Sequence, residues 1–282
     1  MTNHIIEAVS LDIEGCVTGR GARREAWSIR RMTYLASILL SVRNEMGIRS
    51  FLNSGRPQPY VEAVLQALGL VVFSTPSVFE NGSGLYFPDT RAFKRNPNIT
   101  EEKFLAFQEV KKALEKITAE LGGVRELGKE FSFSTNPPDG MVITEYFNLF
   151  QEPLKQSEAG EAVEANHSQS ALDFTIKGVN KQTGLEFWCQ ETGIKLEQLA
   201  AIGDSRGDLS VLKIVGLPMC PSNAIDEVRE MVKARKGFIS YYQSNLGVID
   251  CVAFLAKKNP LIQNTKDKII MDCLLHSPTE LY

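Results

Sequence analysis

Ile5-Ile6-Glu7-Ala8-Val9-Ser10-Leu11, followed by Asp12-Ile13-Glu14-Gly15-Cys16-Val17-Thr18, is the stretch whose reading decides the fold. A short, mostly apolar and β-branched run reads as a strand buried on both faces, and Gly15 gives the backbone freedom to turn at its end. Two carboxylates therefore stand where a core strand runs out. Side chains two apart on extended backbone point the same way, so Asp12 and Glu14 can face one cleft. Taken alone, an acidic pair there also reads as a solvated turn.

Working outward, the rhythm is strand, helix, strand, helix, strand. Apolar residues from 24 to 46 recur at helical spacing up to a stop at Gly47. Ile48 to Leu52 is the next strand, delivering Asn53-Ser54-Gly55-Arg56-Pro57 to a helix through Leu68, and Val71 to Phe73 is expected to be the third strand. Phe79 to Phe87 reads as a hairpin around Asn81-Gly82. The rhythm then changes: a long amphipathic helix from Thr100 to Leu121, a strand Phe131 to Ser134, a loop Asn136 to Gly140, a helix Thr144 to Gln156, and strands near Ala162 to Asn166 and Leu172 to Ile176. After Lys177-Gly178 the first rhythm resumes. Helices are expected at Lys181 to Glu191, Leu209 to Val215, Ala224 to Lys233 and Leu246 to Ala256, with strands at Leu199 to Gly203, Pro218 to Cys220 and Phe238 to Ser240. Asn259 to Tyr282 is left as a tail with no assigned docking. The fold class is α/β, a Rossmann-like parallel-sheet core with an inserted α+β cap: residues 1–87 and 177–282 form the core, 88–176 the cap.

Composition narrows the function. The 282 residues suffice for one large or two ordinary domains, and 43% hydrophobic with 23% charged residues is a globular balance. Lys plus Arg minus Asp plus Glu is 31 − 34 = −3, which gives no electrostatic reason to expect nucleic acid or an anionic membrane as partner. Five cysteines without CxxC spacing point to reduced thiols rather than disulfides or zinc. No basic-then-apolar leader precedes Ile5, and the longest apolar stretch, near Leu35 to Val42, is too short for a bilayer, so a cytoplasmic protein is expected.

In open parallel sheets the ligand crevice lies at the carboxyl ends of the strands. Three such ends carry polar groups here: Asp12 with Glu14, Ser54, and Asp204 within Gly203-Asp204-Ser205-Arg206-Gly207-Asp208. Converging carboxylates repel unless a cation joins them, and an oxygen-rich set suits Mg²⁺. Lys181, in the first turn of its helix, can bring positive charge to the same edge. Carboxylates, Mg²⁺, a hydroxyl and a lysine make a site for a phosphate group.

These pieces carry a resemblance. Asp12-Ile13-Glu14-Gly15, Asn53-Ser54-Gly55-Arg56-Pro57, Lys181 and Gly203 to Asp208, in that order at strand ends, resemble the four motifs of haloacid dehalogenase superfamily phosphatases. The likeness is to the group with a large α+β cap after the third strand, which includes the sucrose-phosphate, phosphoglycolate and Cof-like sugar phosphatases. Glu80-Asn81-Gly82 and Ser222-Asn223-Ala224 are also similar to segments those enzymes share. The resemblance implies a phosphoric monoester hydrolase acting on a small phosphate ester. Asp12 would be the nucleophile that becomes an aspartyl phosphate, and Glu14 the acid and base. Ser54, the Gly55 amide and Lys181 would bind the phosphoryl oxygens. Mg²⁺ would be held by Asp12, the Glu14 carbonyl and Asp204, with Asp208 positioning a ligand or water. Arg56 and Asn223 are candidates for contact with substrate or with the groups behind it. Most relatives have Asp where this chain has Glu14, whose extra methylene moves the acid by about 1.5 Å. Gly207 stands where many have Asn.

Other readings stay beside these. Ser54 also reads as a helix cap, Lys181 as a surface lysine, and Asp204 with Asp208 as a capping turn. His167 reads as a loop histidine, Trp27 and Trp188 as packing, and Phe104 with Phe107 as cap core. Glu126, Lys129, Ser132, Ser134, Asn166, His167 and Ser168 are polar cap positions able to face the cleft. Two further function classes remain, a phosphotransferase using an alcohol acceptor and a non-catalytic binding protein. The sequence does not fix an oligomeric state.

Overall fold

A computed structural model gives the structure of residues 5–19, 27–155, 162–167 and 171–276. Its centre is a five-stranded parallel sheet in the order β12-β11-β10-β1-β2, with β1 at Ala8–Leu11, β2 at Arg49–Leu52, β10 at Leu199–Ile202, β11 at Leu217–Cys220 and β12 at Phe238–Ile239. Alternation along the strands serves two cores. Val9, Leu11, Ala200 and Ile202 face α1 (Ile29–Met46), α2 (Gln58–Ala67) and α8 (Ser244–Leu255). Ala8, Phe51, Leu199 and Ala201 face α5 (Lys181–Thr192), α6 (Leu209–Ile214) and α7 (Asp226–Ala234). Burial on both faces explains why these strands lack polar alternation. Trp188 is wholly buried, stacked on Phe51 at 4.1 Å, with its indole N–H donated to the Pro76 carbonyl at 2.7 Å.

The third strand is not where the sequence placed it. Leu70–Phe73 winds into a 3-10 turn between left-handed Gly69 and Ser74, leaving Val72 largely exposed and the Phe73 ring beneath the Arg43 guanidinium. Three apolar residues cannot hold a strand when the backbone reverses on both sides of them. The strand forms later, as β3 (Ser77–Phe79), bridged to Asn53, and continues as an antiparallel meander through β4 (Gly84–Phe87) and β5 (Ala92–Arg95).

A four-stranded antiparallel sheet in the order β6-β7-β9-β8 lies between the two halves of the parallel core in sequence. Its strands are β6 (Val124–Arg125), β7 (Ser132–Asn136), β8 (Val163–His167) and β9 (Leu172–Ile176). Phe133, Phe174, Leu172 and Ile176 are buried with Phe107, Val110 and Leu114 of α3 (Glu101–Glu120) and Tyr146 and Phe150 of α4 (Ile143–Lys155). Thr100 caps α3 by accepting from the Lys103 amide. The expected end of α4 at Gln156 lies outside the described residues.

Residues after Asn259 are not a loose tail: α9 (Pro260–His276) packs on α1 and α8, where Asp272 receives Arg30 and Tyr34. The last six residues of the chain lie outside the described part. Among the described residues no helix is long and apolar enough to cross a membrane.

Candidate active site

Parallel pairing brings the strand ends together. Leu11 stands opposite both Leu52 and Ile202, so Asp12, Asn53 and Gly203 leave the sheet side by side. Asp12 is 5% exposed and accepts from Lys181, whose Nζ lies 2.6 Å from Asp12 Oδ1 and 2.7 Å from Asp208 Oδ1. The other oxygen of Asp208 accepts the Asp204 and Ser205 amides at 3.1 and 3.0 Å and the Ser205 hydroxyl at 2.9 Å. Asp208 thus ties the turn after β10 to the lysine. Gly203 has to be glycine, because a Cβ there would meet the Asp208 side chain at 2.4 Å.

Lys181 begins α5, where a cation opposes the helix dipole. The side chain of Asn180 accepts the Gln182 and Thr183 amides, and Lys181 turns away from solvent into the two carboxylates. Asn53 fastens this end of the helix to β2 by donating to the Lys181 carbonyl at 3.3 Å. Gly82 and Gly184 allow the turn after β3 to press against the same helix: a Cβ on Gly82 would sit 2.0 Å from the Asn180 carbonyl oxygen, and one on Gly184 2.5 Å from the Gly82 Cα.

The charges do not balance. The ammonium of Lys181 is shared by Asp12 and Asp208, and Asp204 adds a third carboxylate beside Asp12. Burial first, then Asp208, pushes the Asp12 carboxyl well above the ordinary carboxylate range; Lys181 pulls it back, and Asp204 and Glu14 add to the push. An additional cation would relieve this excess. Ligand atoms of Asp12, Asp204 and Cys16 lie within 4.8 Å of one another. The Asp204 carboxylate occupies the space a side chain on residue 15 would need, 2.1 Å from the Cβ position of Gly15, whose φ is +74°. Two hard oxygen donors fit a Mg²⁺-type ion. Burial pushes the Cys16 thiol well up, so it stands beside this pair as a neutral group. Cys16 had no signal in the sequence beyond its place in the turn.

Ser54 is fully buried and does not cap α2: its hydroxyl accepts the Arg56 amide at 3.2 Å, while Pro57 occupies the cap position. Gly55 lies against Asn81, whose Oδ1 would be 2.8 Å from a Cβ there. Asn223 donates to the Gly15 carbonyl at 2.9 Å and accepts the Ser244 amide at 2.6 Å, so it braces the Asp12 turn against the start of α8. Asn245 does the same from the next position, donating to the Val17 carbonyl at 3.0 Å, a role the sequence did not reveal.

Glu14 is brought to the cleft by a different route. Its carboxylate pairs with Arg56 Nε, and Nη1 of the same guanidinium pairs with Glu126, the residue directly after β6; both contacts are short. Glu126 also meets Lys129 at 3.0 Å, and Lys129 reaches Ser134 and Asp173. Asp173 was absent from the sequence candidates. A second junction is made by Glu80, whose carboxylate accepts the Glu130, Phe131 and Ser132 amides and the Ser132 hydroxyl, each at 2.9 Å. His167 is the last residue of β8, not part of a loop; its ring lies 5.3 Å from that of Phe147, on the face with Phe174. Asn166 is exposed opposite Asp173, and Ser168 lies outside the described residues.

Comparison with known proteins adds to this geometry. The family model for haloacid dehalogenase-like hydrolases matches residues 142–250. A phosphoglycolate phosphatase of Methanobrevibacter smithii is 28% identical over 232 residues, 80% of this chain and 89% of the relative. A crystal structure of a Thermoplasma acidophilum protein superposes with a TM-score of 0.66 at 18% identity, covering 90% of this chain and 99% of its own. The sucrose-phosphatase of Synechocystis, solved with sucrose and phosphate, gives 0.65 at 15% identity over 90% and 98%.

Proposed function

We propose that this chain is a haloacid dehalogenase-like hydrolase and, within that class, a Mg²⁺-dependent phosphatase of a small phosphorylated metabolite, a sugar phosphate or a phosphoglycolate-like ester, a reading that the matching family model and the phosphoglycolate phosphatase relative support. The observation that supports it most is the excess of carboxylates around Lys181 at the end of β1. We take residues 88–176 as the cap that encloses the leaving group, and 1–87 with 177–282 as the core. A cytoplasmic location belongs to the same reading; among the described residues no cysteine is in a disulfide.

In this reading an Asp12 carboxylate oxygen attacks phosphorus, the ester P–O bond breaks, and Glu14 gives its proton to the departing alkoxide. Water then attacks the aspartyl phosphate, Glu14 takes the proton, and the P–O bond to Asp12 breaks to release phosphate. The Ser54 hydroxyl, the Gly55 amide and the Lys181 ammonium bind phosphoryl oxygens, where charge grows in the transition state. Asp12, Asp204 and the Glu14 carbonyl would hold Mg²⁺, which supplies charge neutralisation for the transferring phosphoryl group. Asp208 keeps Lys181 and the Asp204 turn in place.

The test is phosphate release from a panel of sugar phosphates, phosphoglycolate and p-nitrophenyl phosphate. Activity with Mg²⁺ that EDTA removes and Mg²⁺ restores is expected. Metal-dependent binding with no turnover of any ester would contradict the reading, and added alcohols would reveal transfer in place of hydrolysis.

A further inference from the structure

We infer that Glu126, on the cap, is a positioning residue that holds the Glu14 carboxylate in place through Arg56, so that seating the cap assembles the acid and base. The inference rests on the phosphatase reading and goes beyond it. One guanidinium spans core and cap: Nε serves Glu14 and Nη1 serves Glu126, with the plane carried over the Tyr60 ring at 5.0 Å. Arg56 is fixed in direction by these partners; a guanidinium is a rigid fork, so holding one arm aims the other. Glu126 is itself held at both oxygens, Oε1 by Arg56 and Oε2 by Lys129, and Lys129 is a buried cation locked by Ser134 and Asp173. The chain of pairs therefore ends in the cap sheet.

Glu14, by contrast, is the most exposed member, with 27% of its side chain accessible, and it carries one more rotatable bond than the Asp of most relatives. A freely rotating carboxylate spends little time aimed at a leaving oxygen, and geometry of this kind governs rate. Arg56 restricts that rotation only while Glu126 holds its other arm. Glu80, taking three successive cap amides, keeps residues 130–132 docked so that Glu126 arrives in register.

The experiment compares E126Q with the unaltered chain on two esters: the best alkyl phosphate of the panel, whose leaving group needs a proton, and p-nitrophenyl phosphate, whose leaving group does not. For the alkyl ester kcat is expected to fall about tenfold with KM within about twofold. The rapid-mix burst of p-nitrophenolate, which reports attack by Asp12, is expected to stay within about twofold. In the E14D background, where the shorter arm no longer reaches Arg56, E126Q is expected to add no further loss. Should E126Q not fold, E126D, which keeps the charge and withdraws it, is expected to give the same pattern. Equal losses for the burst and for the alkyl ester, or losses that multiply in the double variant, would overturn the inference and make Glu126 a packing residue. An unaltered chain inactive on every ester would overturn the phosphatase reading first, and is told apart because no burst is seen at all.

Discussion

Two charged clusters meet at the cleft, and they are built differently. At the strand ends Asp12 and Asp208 share one lysine with Asp204 standing beside Asp12, and the cluster is left with excess negative charge. At the seam with the cap, Glu14, Arg56, Glu126, Lys129 and Asp173 alternate in sign, and each cation has two acidic partners. The first arrangement is incomplete without another cation and a phosphate, which makes it a place for chemistry. The second gives every member a partner of opposite charge, which makes it a fastening that ends on Glu14. A buried ion pair stabilises little on balance, but losing one member of it costs a good deal.

The sharpest way to break this comparison is Asp12→Asn. It keeps volume and removes the nucleophilic oxygen from the incomplete cluster, so phosphate release should fall by roughly 10³-fold or more while the unfolding midpoint changes little. Steady-state turnover within about tenfold of the unaltered chain would place the chemistry elsewhere. Lys181→Met comes next. It leaves Asp12 and Asp208 facing each other with no ammonium between them and should lower stability by about 3 kcal/mol in urea titration. Because the cluster then has still more need of a cation, millimolar Mg²⁺ should recover part of that loss; a variant insensitive to Mg²⁺ would show that the carboxylates do not share an ion.

How much of this was legible in the sequence follows the same division. Most of the strand-end site was readable because Asp12, Ser54 and Asp204 each follow a short apolar run, and parallel pairing aligns run ends whatever the loops do. Asp12, Ser54 and Asp204 stand out in the sequence on that ground, and Lys181 as a cation set against the dipole of its own helix. The seam was not readable, because Arg56 meets Glu126 across 70 residues and Lys129 meets Asp173 across 44, with no periodicity linking them. Glu126 and Lys129 were visible only as polar cap positions, and Asp173 not at all. Local chemistry failed in a different way at Leu70–Phe73, where an apolar run looked like a strand, yet left-handed Gly69 and Ser74 on either side turn it into a coil of 3-10 type. Asn259 onward failed because an α9 with polar residues still finds α1 and α8 to cover.

The smallest effect tests the fastening alone, at a point away from the reacting groups. Glu80 has φ +46°, a left-handed conformation that costs an L residue roughly 1–2 kcal/mol, and four hydrogen bonds offset that cost. Burial pushes its carboxyl up while those donors pull it down. In Glu80→Gln the amide keeps one carbonyl oxygen. That oxygen serves most donors at the Oε2 position, where Phe131 N, Ser132 N and the Ser132 hydroxyl converge; the NH₂ then faces the Glu130 amide, which loses its acceptor. One buried donor without a partner costs about 1–2 kcal/mol. Because the donors belong to residues 130–132 at the edge of the cap and not to the parallel sheet, the loss should be local: amide exchange at Glu130, Phe131 and Ser132 should quicken about tenfold, while Leu11 and Leu52 in the parallel sheet keep their protection. Exchange that quickens equally at Leu11 would mean that cap and core open as one unit, and the distinction between a chemical cluster and a mechanical one would lose its basis.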